Sequence, residues 1–193
     1  NWTPNNISVT SGVTYDSMLD VPTPYADGGN GRGNYAVLNP LANGGGTLSG
    51  GNLNMTSGSG WQSRLSTIAV SSGKWYVEMT PTSGSSTQGI MYGISDFITP
   101  VSAYLGGAST SYGYYGADGR LYYNGTSTAG WGATVADNDV VGIALDMDAG
   151  SLKLYKNNTQ QGSTITGLSG LFYIGASCYG SATVSANFGQ RPF

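Results

Sequence analysis

The sequence predicts an all-β domain, either a sandwich or a closed barrel. Two observations lead there. Runs of strand length, rich in aromatic and β-branched residues, recur along the chain and are separated by short glycine-rich turns. No window sustains the apolar spacing of a helix. Without a crossover helix, a parallel βαβ fold is excluded.

The elements follow in order. Asn34-Tyr35-Ala36-Val37-Leu38-Asn39 is an extended piece between glycine-rich loops, and Gly51-Asn52-Leu53-Asn54-Met55 alternates as a strand does. Ser71-Ser72-Gly73 is a turn that feeds Lys74-Trp75-Tyr76-Val77-Glu78-Met79-Thr80, an aromatic and β-branched run. Gly89-Ile90-Met91-Tyr92-Gly93-Ile94 is a short apolar run of strand length. Tyr112-Gly113-Tyr114-Tyr115-Gly116 and Arg120-Leu121-Tyr122-Tyr123-Asn124 meet across Ala117-Asp118-Gly119, where Asp-Gly is a strong hairpin signal. A second hairpin joins 139–146 to 151–155 across Met147-Asp148-Ala149-Gly150. Strands over 171–179 and 182–186 close the pattern.

At 193 residues the chain fits one such domain. Residues 1–59 are too poor in apolar side chains to fold alone, so they are read as outer strands and loops of a single domain, 1–193, whose core is 60–193. The chain carries 32 Gly and 14 Tyr, only 9% of its residues are charged, and its net charge is −3. That surface does not suit nucleic acid, whose phosphates demand a basic face. No apolar run is long enough to span a membrane, and the start does not read as a signal peptide.

The C-terminal half carries a specific order of motifs. Asp139-Val140-Val141-Gly142 leads into Leu145-Asp146-Met147-Asp148, then Leu154-Tyr155-Lys156-Asn157, and the chain closes on Val184-Ser185-Ala186-Asn187-Phe188-Gly189. This order resembles the SPRY domain. The resemblance implies a two-sheet antiparallel β-sandwich of the concanavalin A-like jelly-roll type, with SPRY topology, that binds partners through loops and catalyses nothing. A second resemblance joins three pieces. They are Asp16-Ser17-Met18-Leu19-Asp20-Val21-Pro22-Thr23 with Asn34-Tyr35-Ala36-Val37-Leu38-Asn39-Pro40, then Ser72-Gly73-Lys74-Trp75-Tyr76-Val77-Glu78, then Asn187-Phe188-Gly189-Gln190-Arg191-Pro192-Phe193. Together they are similar to a module of tailed-bacteriophage structural proteins. This implies a virion protein, a tail fibre or spike, whose partners are a host-surface glycan or protein and other virion subunits. Capsid decoration, fibre building and a carbohydrate-binding module detached from an enzyme are the alternatives. Virion parts assemble in many copies, which adds a homo-oligomer to the expectation.

Catalytic chemistry finds little support. The chain has no His, so Cys178 lacks a partner base and reads as a small buried apolar side chain. Glu78 is the only Glu, so a two-carboxylate glycosidase would need an Asp partner. Asp137-Asn138-Asp139 and Asp146-Met147-Asp148 resemble the start of calcium loops. The second pair runs straight into a strand, so both are read as hairpin residues bonded to backbone, and no metal or cofactor is expected.

Aromatic side chains are the better binding candidates, because Trp and Tyr faces stack on the C–H faces of sugars and anchor interfaces. Trp61, Tyr104, Tyr112 and Trp131 lie in or beside Gly/Ser-rich segments, with Asn124 as a polar contact. Tyr114 and Tyr122 share that setting. The family resemblance adds that an aromatic near Trp131 often packs on the sheet.

Overall fold

The computed structural model describes residues 35–42, 44–84, 89–96, 104–191 and 193. The Asp16–Asn34 part of the phage-type pattern therefore lies outside the described residues, as does most of the N-terminal part of the expected single domain. The chain falls into two units, Ala36–Phe188 and a smaller one of Asn1–Tyr35 with Gly189–Phe193.

The larger unit is a two-sheet antiparallel sandwich. Its strands are β1 (Thr47–Ser49), β2 (Asn54–Thr56), β3 (Gln62–Val70), β4 (Lys74–Ser83), β5 (Ile90–Ser95), β6 (Ser111–Tyr115) and β7 (Arg120–Tyr123). They continue as β8 (Thr126–Thr128), β9 (Val141–Asp146), β10 (Ser151–Lys156), β11 (Thr159–Thr166), β12 (Phe172–Cys178) and β13 (Thr183–Asn187). One sheet has seven strands in the order β1-β2-β13-β4-β9-β10-β11, and the other has six in the order β3-β12-β5-β6-β7-β8. No helix occurs among the described residues.

Alternation fills the space between the sheets. Met79, Ile143, Leu145, Leu152, Leu154, Val184 and Ala186 point inward from the first sheet, and Ile90, Tyr92, Ile94, Tyr114, Ile174 and Cys178 from the second. Cys178 is fully buried among them, and burial pushes its thiol pKa up. The predicted hairpins occur as β6–β7 and β9–β10. Gly119 and Gly150, in their turns, take the left-handed conformation that favours glycine (φ 76° and 60°).

Two elements differ from expectation. The strand expected over 51–55 is shorter, because Gly50, Gly51 and Asn52 all have left-handed φ and form the β1–β2 turn. The extended piece around residues 36–39 makes only one bridge, Leu38 to Ser66 on β3. Leu38 and Met55 are nevertheless fully buried in the main core. The loop between them is clamped by Arg64, whose guanidinium donates to the carbonyls of Asn39, Ala42 and Gly46. Burial lowers the pKa of this Arg.

Candidate functional site

The outer face of the six-stranded sheet is shaped by registry. Gly175 on β12 pairs with Gly93 on β5, and Gly93 pairs with Gly113 on β6. A row without side chains thus crosses the middle of the sheet. Segment 104–110 lies over it as a strap. A Cβ on Gly113 would sit 2.7 Å from the Leu105 carbonyl carbon and 3.0 Å from its Cβ. Leu105 is accordingly 3% exposed. Its N–H donates to Ser177 Oγ at 2.9 Å, and the Gly106 N–H donates to Ser111 Oγ at 2.8 Å. Ser111 Oγ in turn donates to the Ile94 carbonyl at 3.1 Å, so the strap is tied to three strands through serine hydroxyls.

Around Leu105, Leu65 and Met91 an aromatic cluster assembles on the outer face, from Trp61, Tyr104, Tyr115, Tyr122 and Tyr173. Trp61 is its hub. Its ring centroid lies 5.7 Å from Tyr104, 5.9 Å from Tyr115 and 5.5 Å from Tyr179. Tyr122 meets Tyr104 and Tyr115 edge-on at 5.7 and 5.9 Å. Edge-to-face and tilted contacts at these distances are the attractive arrangements, so the rings hold one another in place. The cluster residues are half-buried and Tyr179 is exposed. The Tyr115 phenol pKa is raised by burial, then by the Asp118 charge and Tyr122. Asp118 is itself paired with Arg120 at 3.0 Å, so the two charges offset each other.

The predicted site residues divide between two faces. Trp61 and Tyr104 come together on the outer face. Asn124 stands in the β7–β8 turn with φ 50°, exposed, and its N–H donates to the Ala108 carbonyl of the strap at 3.2 Å. Tyr112 points the other way, stacking on Tyr123 at 4.6 Å and packing against the main core. Trp131 also packs inward, on Tyr114 at 5.4 Å. Its indole lies over Gly162, where a Cβ would come within 2.6 Å of Nε1. Sequence reasoning missed Tyr115, Tyr173 and Tyr179 as site residues and did not carry Tyr122 forward. The available signal was parity, since Tyr115 alternates with the inward Tyr112 and Tyr114.

The acidic candidates have partners within the fold. Tyr76 Oη donates to Glu78 Oε1 at 3.2 Å, and burial, then Glu78, push the Tyr76 pKa up to about 12. Asp146 Oδ1 accepts the Ala149 N–H at 3.0 Å, while Asp148 Oδ1 reaches the distant Gly73 N–H at 2.7 Å. Asp139 accepts the Ala136 N–H, the Asn157 amide and Lys156 Nζ, at 2.7, 2.7 and 3.0 Å. Burial opposes its ionisation, but these donors hold its pKa below the usual value.

Among known proteins, the SPRY domain family model matches residues 72–191. Solved structures share the fold. The SPRY domain of human HERC1 superposes with a TM-score of 0.65 at 19% identity, over 76% of this chain and 94% of that one. The TRIM65 PSpry domain gives 0.62 at 15% identity, over 80% and 92%. Stonustoxin gives 0.61 at 19% identity, over 79% of this chain and 27% of its own.

Proposed function

This chain belongs to the SPRY family, and we propose that it is a non-catalytic recognition module of a phage virion protein, a tail fibre or spike meeting the host surface. SPRY domains are typically protein–protein interaction modules. The virion assignment rests on the phage-type pattern of residues 16–40, 72–78 and 187–193. The partner is a host-surface glycan or protein, with other virion subunits as further contacts. One observation carries the reading: the half-buried Trp61, Tyr104, Tyr115 and Tyr122 and the exposed Tyr179 converge on one sheet face. Aromatic side chains concentrated and held rigid in this way are the anchors of binding surfaces. The lack of His and the tied-up Glu78 support recognition without turnover.

The test applies the labelled full chain to a panel of bacterial strains. Saturable binding to some strains is expected. Tyr179→Ala, at an exposed position, should weaken it by about 2 kcal/mol, roughly thirtyfold, with the melting temperature kept. Binding to no strain, together with capture of other virion subunits, would move the protein to the architectural class.

A further inference from the structure

We propose that the aromatic outer face takes an uncharged polysaccharide, with sugar rings seated against Trp61 and Tyr179 and hydroxyls bonded by the surrounding phenols. This rests on the recognition reading above and narrows its ligand. Four features of the face select such a chain over a peptide or an anionic polymer.

The hydroxyls of Tyr104, Tyr115, Tyr122 and Tyr179 hydrogen-bond to no other described residue. Packing alone would be served by Phe. Phenols instead place paired donor and acceptor capacity around flat apolar rings, which matches a sugar's mixture of C–H faces and OH groups. The charges at this corner among the described residues, Arg120 and Asp118, are tied to each other at 3.0 Å. The face therefore offers phosphate, uronate or an acidic peptide no unpaired cation among the described residues of this corner.

The strands directly beneath the rings give an extended peptide no place to add, the open edge of this sheet being β8. β12, β5, β6 and β7 are each paired on both sides, so strand addition is closed to a ligand over them. At the β3 edge, Asn39 N–H donates to Leu65 and Thr67 N–H to Val37, which covers the middle of that strand as well. Finally, the rings brace one another, with Trp61 touching three neighbours within 5.9 Å. Little side-chain freedom is then lost when a ligand arrives.

The experiment uses the full chain and cells of a strain it binds. Periodate oxidation of the cells, which cleaves sugar diols, should abolish binding, and proteinase K treatment should leave it intact. A neutral polysaccharide extracted from the same envelope should compete, whereas alginate, an anionic polysaccharide, should not. Tyr122→Phe and Tyr179→Ala should lower affinity for that extract at least fivefold and tenfold, with unchanged melting temperatures. Binding that survives periodate but not proteinase K would overturn the polysaccharide assignment and leave the recognition reading standing. So would competition by alginate, or full affinity in Tyr179→Ala. Binding to no strain would overturn both.

Discussion

Replacing Gly113 by Ala puts the organisation of the outer face to a direct test. The new Cβ would stand 2.7 Å from the Leu105 carbonyl carbon and 3.0 Å from Leu105 Cβ, with the carbonyl oxygen nearer still. Backbone, unlike a flexible side-chain end, cannot swing aside. One response lifts the strap. That exposes Leu105, at about 1.5–3 kcal/mol, and breaks the Ser177 and Ser111 hydrogen bonds, at about 0.5–1.5 kcal/mol each. The other response shifts β6 within the sheet, which costs about 1–3 kcal/mol as overpacking does. The molecule takes the cheaper course, so the expected loss is about 1–3 kcal/mol, or several degrees in Tm at about 2–4 °C per kcal/mol for a chain of this size. Urea unfolding with an unchanged m-value measures it. Gly60→Ala is the control, because nothing lies within 4 Å of a Cβ there, and it should be neutral or slightly stabilising. Combining Gly113→Ala with Leu105→Ala should cost less than the sum of the two, since both act on one strap. A Gly113→Ala loss below about 0.5 kcal/mol would refute the reasoning, because that is the range of an uncoupled surface change.

Two further outcomes follow from the core. Tyr92 is fully buried and its hydroxyl has no partner among the described residues, so Tyr92→Phe should be neutral or stabilising by about 1–3 kcal/mol in urea unfolding; a loss of that size would mean that the hydroxyl is satisfied. Alkali should destabilise the fold: burial raises the pKa of Cys178 and of Tyr92 and pushes that of Tyr114 up to about 12, so the folded state holds protons that the unfolded chain releases near pH ~8.5 for the thiol and ~10 for the phenols. Stability is then whole below about pH 8 and falls as pH rises towards the folded pKa values, by about 1.4 kcal/mol per pH unit for each group. A melting temperature flat from pH 7 to about pH 11 would contradict that assignment of burial.

What was legible in the sequence was whatever is written locally. Strands such as β4, β9, β10 and β12 are marked by aromatic and β-branched alternation, and their hairpins by Asp-Gly and Gly at positions that need left-handed φ. β3 and β11 were not legible. Thr159–Thr166 is largely Thr, Gln and Ser on an edge strand, where little hydrophobic signal is required, and Gln62–Val70 breaks the alternation because its ladder with β12 shifts register between Leu65 and Ala69. Among the site residues, Trp61 and Tyr104 could be singled out as aromatics near loops. Spacing put Tyr112 and Tyr115 on opposite faces, but nothing local said which face would be the core.

The sequence by itself determined the all-β class, the sandwich through its family motifs, and the residues that punctuate the turns, because each of these depends on neighbours a few positions apart. The tertiary structure alone decided which face each tyrosine occupies. Side chains alternate with a period of two, so one step of register sends Tyr115 outward while Tyr112 and Tyr114 enter the core. It alone also aligned Gly93, Gly113 and Gly175 in one row, since strand pairing rather than sequence distance makes them neighbours. That row admits the strap, and the strap carries Tyr104 to Trp61.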